Sequence, residues 1–114
     1  MHMGFPWSDD MLALAFAYPN VWLDICWAAL LSPTFFKRVL HEMIESVPDE
    51  SRLMFGGDNW HAEETFGAIR AARRIIGQVV QEKVDTGYFT EPDARRLAGK
   101  IFLTNAKELY RLQG

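Results

Sequence analysis

Asp58 is the residue whose type and position point most directly to chemistry. It follows a Gly56-Gly57 turn, after the segment Arg52–Phe55, whose last three residues are apolar and which predicts a short strand, and before a long helical pattern. In parallel α/β folds, ligands and catalytic groups gather at the carboxyl ends of strands. Asp58 is therefore either a functional carboxylate or a residue that shapes the turn before the helix, and the pattern leaves both readings open.

The three histidines are the next candidates. His61 follows Asp58 by three positions, so it could face a ligand at the same turn or lie on the surface. His41 falls on the polar side of an amphipathic segment and is predicted to be a solvated surface residue. His2 stands near the N-terminus, where composition alone indicates no role.

The sequence predicts no nucleophile beside a base, so covalent catalysis has no support. Cys26, the single cysteine, ends an apolar run and is predicted to be a buried small hydrophobe rather than a reactive thiol. Trp27 and Trp60 follow the two predicted strands. They are candidates to wall a substrate pocket, and the alternative for both is ordinary packing in the core or an interface.

The elements that would position these residues alternate between strand and helix. Apolar, β-branched and aromatic runs predict strands at about residues 21–26 and 52–56. Strands that alternate with helices pair in parallel through right-handed crossovers. Two strands are too few to complete such a sheet, so we expect further strands or a partner to flank them.

The helix boundaries carry their own signals. Ser32, followed by a proline, predicts a helix start, and Thr90 with an acid three residues later predicts a capping box. A long helix is predicted from about 62 to 84, with Phe66 on its inner face. Asn105 is predicted to cap a final short helix.

Composition sets the class of protein. The chain has 114 residues, of which 49% are hydrophobic and 24% are charged, and this is enough for one core. We therefore expect residues 1–114 to form a single partial domain. Fifteen acidic residues against twelve basic ones give no net field that would attract phosphates. The basic stripe of Arg70, Arg73 and Arg74 is predicted to be a solvated face, so no nucleic-acid partner is expected.

Location is predicted from the apolar runs and the cysteine count. The longest apolar run, Val21–Leu31, contains Asp24 and is shorter than the ~20 residues of a membrane helix. No signal-peptide pattern is visible, and a single cysteine suits a reducing compartment. We expect a soluble, cytoplasmic protein that does not contact a membrane.

Four segments in order carry a family resemblance: His2–Pro6, Tyr18–Asp24, Leu53–Asp58 and Asn105–Tyr110. Together they resemble the C-terminal part of amidohydrolase-related proteins, the metal-dependent hydrolases of the amidohydrolase superfamily, over nearly the whole chain. The start of the long helix, residues 63–68, looks closest to members related to the amidohydrolase-like domain that is sometimes fused to glutamine synthetase.

The resemblance implies an α/β fold: a helix-rich C-terminal fragment of a (β/α)8 TIM barrel. The strands at 21–26 and 52–56 would be the seventh and eighth of that barrel, with four to five helices around them. His2, at the end of the sixth strand, would be a ligand of a divalent metal ion, with zinc as the expected ion. Asp58 would be both a ligand and the general base. Gly57 stands where the family usually has serine.

The resemblance also implies that part of the site lies elsewhere, because the family's other ligands come from the first, fourth and fifth strands. Catalytic zinc generally takes three protein ligands and a water. We therefore expect the isolated chain to be incomplete and inactive as a hydrolase. It would act on a small-molecule substrate, at a C–N or C–O bond, after self-association or binding of a complementing chain. The alternative is a non-catalytic helical oligomerisation or interaction module derived from such a barrel.

Overall fold

Two short parallel strands surrounded by helices make up the fold in the computed structural model, which describes residues 2–113. The strands are β1 (Leu23–Asp24) and β2 (Leu53–Met54). A left-handed turn lies at His2–Gly4, a single turn of 3₁₀-helix lies at Glu50–Arg52, and a π-helical turn, Lys100–Thr104, joins the last two helices. The helices are α1 (Ser8–Ala17), α2 (Ala28–Leu31), α3 (Pro33–Ser46), α4 (Ala62–Asp85), α5 (Glu91–Gly99) and α6 (Asn105–Tyr110). This helix-rich α/β arrangement with parallel strands confirms the predicted fold class and is consistent with a fragment of an α/β barrel.

Both strands are shorter than the ranges predicted for them, 21–26 and 52–56. Leu23 pairs with Leu53 and Asp24 with Met54, and the ladder then ends. The reason is a side chain: Asp24 Oδ1 accepts the backbone N–H of Gly56 at 2.9 Å, which diverts that donor from β1. A carboxylate that captures a backbone donor in this way competes with the sheet ladder.

The free edge of β2 is covered by the C-terminal helices. Asn105 donates its side-chain amide to the Leu53 carbonyl at 2.6 Å, and the Phe55 N–H donates to the Ile101 carbonyl at 2.9 Å. Ile101 lies in the π-helical turn, a type of bulge that releases a carbonyl from the regular helical pattern. One helix thus supplies the donor and the acceptor that a neighbouring strand would supply.

The predicted capping role of Asn105 is wrong. Asn105 has helical backbone angles, so the helix runs through it, and its side chain is completely buried. Besides Leu53, its amide reaches the Glu50 carbonyl at 2.8 Å. The side chain is turned inward because an unpaired carbonyl at the buried edge of β2 costs more free energy than an unpaired N–H at an exposed helix start, which water can bind.

The core lies between the two strands and the inner faces of α3 and α4. Ser32 caps α3 by accepting the Phe35 N–H, and Thr90 forms the predicted capping box, so both helix starts are confirmed. The prediction for Phe66 is wrong, because this side chain is 65% exposed. The buried face of α4 is set by a different stripe of residues: Ala68, Ala72, Ile75, Ile76, Val79 and Lys83.

Arg52 joins the end of α1 to the start of β2. Its guanidinium is buried and donates to the carbonyls of Ala15, Tyr18 and Val21 at 2.8, 2.9 and 3.1 Å. These carbonyls lie at and beyond the C-terminus of α1, where helical acceptors lack partners and a cation is favoured. Arg52 therefore fixes the chain that leads into β1.

Polar contacts also join α3 to α4. His41 was expected on the solvated surface, but it is half-buried and its Nε2 lies 2.9 Å from a carboxylate oxygen of Glu82. Lys37 pairs with the other oxygen of the same carboxylate. These hydrogen bonds lower the pKa of Glu82. The two helices are thus connected by polar contacts as well as by the core.

The predictions for the surface of the chain concern a basic stripe on α4 and a membrane-spanning helix. Arg70, Arg73 and Arg74 are exposed on α4, as expected for a solvated stripe. No helix within residues 2–113 combines the length and the apolar character needed to cross a membrane.

Candidate metal centre

The carboxyl ends of β1 and β2 are held together by the carboxylate of Asp24. Its Oδ1 accepts the N–H of Cys26, which follows β1, and the N–H of Gly56, which follows β2, both at 2.9 Å. The second residue of each loop is therefore fixed to one side-chain oxygen. This brings the segment that contains Cys26 next to the segment that contains Asp58.

Three side chains with metal-binding atoms meet at this point: His2, Cys26 and Asp58. A ring nitrogen of His2, the Cys26 sulfur and a carboxylate oxygen of Asp58 all lie within 4.8 Å of one another. Nδ1 of His2 is 3.6 Å from Cys26 Sγ and 3.3 Å from the Cys26 carbonyl oxygen. His2 and Asp58, the two ligands implied by the family resemblance, are thus neighbours in space although 56 positions separate them in the sequence.

The spacing of these atoms fits a divalent ion. Zinc binds sulfur at about 2.3 Å and imidazole nitrogen at about 2.0–2.1 Å, so tetrahedral ligand atoms stand about 3.5 Å apart. The separation of 3.6 Å between His2 Nδ1 and Cys26 Sγ agrees with this value. Because the ligand atoms all lie within 4.8 Å of one another, bringing any pair to about 3.5 Å requires a movement of at most about 1.3 Å. Imidazole, thiolate and carboxylate are all ligands that zinc takes in proteins.

Exposure increases across the group, from the buried Cys26 through the half-buried His2 to the exposed Asp58. One side of the group is therefore open to solvent. Burial raises the pKa of the Cys26 thiol, and the neighbouring Asp24 carboxylate raises it further. A bound cation would act in the opposite direction, because metal coordination deprotonates a thiol.

The backbone at the site adopts an uncommon conformation. His2, Trp27 and Asp58 all have left-handed angles, with φ of 55°, 60° and 49°. Such angles cost energy in residues other than glycine, and strained residues cluster at functional sites. Asp58 tolerates the conformation better than a bulky residue such as Trp27 does.

A cavity of about 410 Å³ lies beside Asp58 and is lined by Trp27, Asn59 and Trp60 as well. The indole N–H of Trp27 donates to the backbone carbonyl of Asp58, and the Trp27 ring also contacts the His2 ring edge-on at 5.7 Å. His61 is not among the lining residues of this cavity; it precedes α4. The pocket roles of Trp27, Trp60 and His61 remain predictions.

Two residues of this region are absent from the predicted site. The position of Cys26 in the sequence could have marked it as a candidate, because it follows β1 just as Asp58 follows β2. Asn59 had no such signal: its Oδ1 is buried without a hydrogen-bond partner among residues 2–113, a property that only the folded chain reveals. Its Nδ2 lies 3.4 Å from Thr65 Oγ1.

Comparisons with known proteins agree with the sequence resemblance. Protein fluG of Emericella nidulans is 32% identical over 114 residues, which cover 98% of this chain and 13% of that protein. The chain thus spans about one-eighth of the length of this relative. No solved structure matches the chain. The family model described as Amidohydrolase matches residues 1–112, and the chain accordingly belongs to the amidohydrolase family.

Proposed function

We propose that this chain supplies His2 and Asp58 to the divalent-metal site of a hydrolase. The observation that carries the proposal is the meeting of these two side chains at the carboxyl ends of two parallel strands, with their donor atoms within 4.8 Å. Membership of the amidohydrolase family supports a hydrolase-like origin. Family members generally use divalent metals, and the donor types present here suit zinc.

The two residues would have different tasks. A bound divalent ion supplies Lewis-acid activation of water and of the bond to be cleaved. The His2 imidazole would hold the ion from the half-buried side of the site. Asp58 has two oxygens, so one can bind the ion while the other accepts a proton from the attacking water. Its exposure to solvent keeps that second oxygen accessible to water and substrate.

Trp27 would act as a positioning residue. Its indole N–H fixes the backbone of Asp58, and its ring contacts His2, so one side chain orients both proposed ligands. Outer contacts of this kind orient metal ligands and tune their affinity. Trp27 and Trp60 line the cavity next to Asp58 and would form an aromatic wall for a small-molecule substrate. The reaction would be hydrolysis at a C–N or C–O bond.

The substrate pocket would be completed by a further chain or a second copy. β1 pairs with β2 alone within the described residues, whereas the other edge of β2 is covered by Asn105 and Ile101. The outer edge of β1 is thus the position at which an added strand can extend the sheet. β1 contacts the His2–Gly4 turn, so a strand added to β1 would lie near the metal centre.

The first test is the metal content of the purified, zinc-loaded chain after dialysis. We expect near-stoichiometric zinc in the parent and a large loss in Asp58→Asn. Asparagine is the appropriate replacement because it tolerates the left-handed backbone of position 58, which alanine would strain. Asp85→Asn, at the distant end of α4, is the matched control and should retain the metal.

The outcomes separate the proposal from its alternative. Equal metal content in the parent and Asp58→Asn would contradict the role of Asp58 as a ligand. A stable, metal-free oligomer that is indifferent to this substitution would favour the non-catalytic interaction module instead.

The catalytic part of the proposal needs a second measurement. The isolated chain should be inactive towards ester and amide substrates. Addition of a polypeptide that carries the upstream strands of an amidohydrolase barrel should create activity, and Asp58→Asn should abolish it. Activity retained in that variant would overturn the role of Asp58 as proton acceptor.

A further inference from the structure

We propose that Cys26 is a third ligand of the same ion, so that this chain by itself offers a His–Cys–Asp site. The inference rests on the proposed function, because it takes the ion to be bound by His2 and Asp58. It adds a sulfur ligand that neither the sequence prediction nor the family resemblance includes. Three protein ligands with one position left for water are the usual set of a catalytic zinc ion.

The sulfur of Cys26 lies where a third ligand of this ion would lie. Cys26 Sγ lies 3.6 Å from His2 Nδ1, which is the separation expected of two ligands on one tetrahedral ion. It also belongs to the group of three whose donor atoms lie within 4.8 Å of one another. An ion bound by His2 and Asp58 would therefore be within reach of Cys26.

The surrounding fold holds the Cys26 sulfur in place. Cys26 is completely buried, and its backbone N–H is bound by the Asp24 carboxylate at 2.9 Å. The same carboxylate fixes Gly56, two residues before Asp58, so the loops that carry Cys26 and Asp58 are connected to a common point. A ligand whose backbone is fixed loses little conformational freedom when an ion binds.

The site is open to solvent on the side of Asp58. A fully buried group of donors would have no route for an ion or a substrate. Here Asp58 is exposed, and the cavity of about 410 Å³ adjoins it. The solvent-facing side of the site can therefore admit an ion and keep a position for water.

The thiolate determines which ions the site prefers. Sulfur is a soft ligand that selects zinc and related transition metals, whereas magnesium, calcium and manganese favour oxygen. We therefore expect zinc and cobalt to bind far more tightly than magnesium. A site built from His2 and Asp58 without sulfur would discriminate less strongly between these ions.

An ordinary hydrogen bond is the competing explanation of the short distance. His2 Nδ1 can interact with the Cys26 thiol, and it is 3.3 Å from the carbonyl oxygen of the same residue. The two explanations differ in one observable property. A coordinated thiolate produces a sulfur-to-metal charge-transfer band, and a thiol hydrogen-bonded to imidazole does not.

The experiment is the near-ultraviolet and visible spectrum of the full chain loaded with Co²⁺. Because Cys26 is the single cysteine, a thiolate-to-cobalt band reports on this residue alone. We expect the band in the parent and its disappearance in Cys26→Ser. The zinc affinity of that variant should fall at least about tenfold, since even the loss of an outer contact to a ligand costs this much.

The results distinguish this inference from the proposed function. Cobalt bound without a sulfur band would overturn the role of Cys26 and leave the His2 and Asp58 site standing. No cobalt bound by the parent would overturn both. The parent spectrum decides the question even if Cys26→Ser fails to fold, and circular dichroism of the variant, with Cys26→Ala as a second replacement, checks the folding.

Discussion

The carboxylate of Asp24 and the backbone amide of Gly56 are 2.9 Å apart, and this contact joins the carboxyl ends of the two strands beside the backbone hydrogen bond from Ile25 to Met54. The same oxygen accepts the N–H of Cys26. A side chain of β1 therefore ends the sheet ladder and aligns the two loops that follow. The candidate ligands Cys26 and Asp58 lie side by side because of this arrangement.

Substitution of Gly56 by alanine should destabilise the fold. A Cβ at position 56 would lie 2.5 and 2.8 Å from the two carboxylate oxygens of Asp24. The carboxylate would have to move, and its hydrogen bonds to Gly56 and Cys26 would weaken. We expect a loss of about 1–3 kcal/mol in the free energy of unfolding, as for other overpacked sites. Urea denaturation measures this value.

Gly77→Ala is the matched control for Gly56→Ala. Gly77 lies within α4, and a Cβ there meets no atom within 4 Å. Alanine is the better helix former, so this variant should be more stable by about 0.5–1 kcal/mol. If the two variants lose similar amounts of stability, the steric explanation for Gly56 is wrong.

Asn105→Leu should lower the free energy of unfolding, because Asn105 belongs to the C-terminal helix that covers the edge of β2 in place of a strand. The variant would leave the buried carbonyl of Leu53 and the part-buried carbonyl of Glu50 without their amide donor. Each unsatisfied buried group costs about 1–3 kcal/mol, so the unfolding free energy should fall by at least about 2 kcal/mol. Chemical denaturation measures the loss. Gln78→Leu, an exposed position of α4, should change it by less than about 0.5 kcal/mol.

Arg52→Gln should separate the end of α1 from β2. The guanidinium is buried and serves three carbonyls, those of Ala15, Tyr18 and Val21. Hydrogen bonds to charged groups contribute about 1.5–3 kcal/mol each, and we expect a loss of at least about 2 kcal/mol in thermal or urea unfolding. Arg95→Gln removes an exposed arginine as a control. Equal effects of the two substitutions would show that the buried contacts of Arg52 contribute nothing.

Asp93 should make stability depend on pH in the acid range. Hydrogen bonds from Thr90 and Arg96 lower the pKa of Asp93 from 3.8 to about 2. Because the folded-state pKa is the lower one, its contribution to stability is complete above 3.8 and is lost as the pH falls through about 2. The unfolding free energy of Asp93→Asn should therefore decline less steeply than that of the parent over this interval.

Thr90→Ala is the partner experiment for Asp93. Loss of the hydroxyl removes the largest cause of the shift, so the pKa of Asp93 should rise and the pH profile should lie between those of the parent and Asp93→Asn. Denaturation series at several pH values provide the comparison. Parallel profiles for all three proteins would contradict the assignment.

Trp27→Phe should weaken metal retention without removing a ligand. Phenylalanine keeps an aromatic ring beside His2 but cannot donate to the Asp58 carbonyl. We expect zinc affinity to fall about tenfold, as for other contacts that orient a ligand. Trp60→Phe is the control, since the Trp60 side chain is 84% exposed. Competition with a chromophoric chelator measures the zinc affinity of each variant. An unchanged affinity in Trp27→Phe would contradict the positioning role of Trp27.

Local signals in the sequence predict both strands and most of the helices in their observed order, and the short helix α2 is the element that they miss. Apolar periodicity, together with the capping residues Ser32 and Thr90, predicts the helices because these signals act within a few residues of one another. The parallel pairing of two strands also follows from their alternation with helices. The family resemblance predicts that His2 and Asp58 bind the same ion. The sequence around each residue does not indicate that the two lie together.

Contacts between residues that are distant in the sequence set which groups meet and which backbone donors are bound by side chains. The strand ends depend on Asp24, whose carboxylate diverts the Gly56 amide. The buried role of Asn105 depends on β2, which lies more than 50 positions earlier in the sequence. Cys26 reaches His2 only when the loops are assembled. These contacts are formed by side chains across long sequence separations, and periodicity and capping signals carry no information at that range.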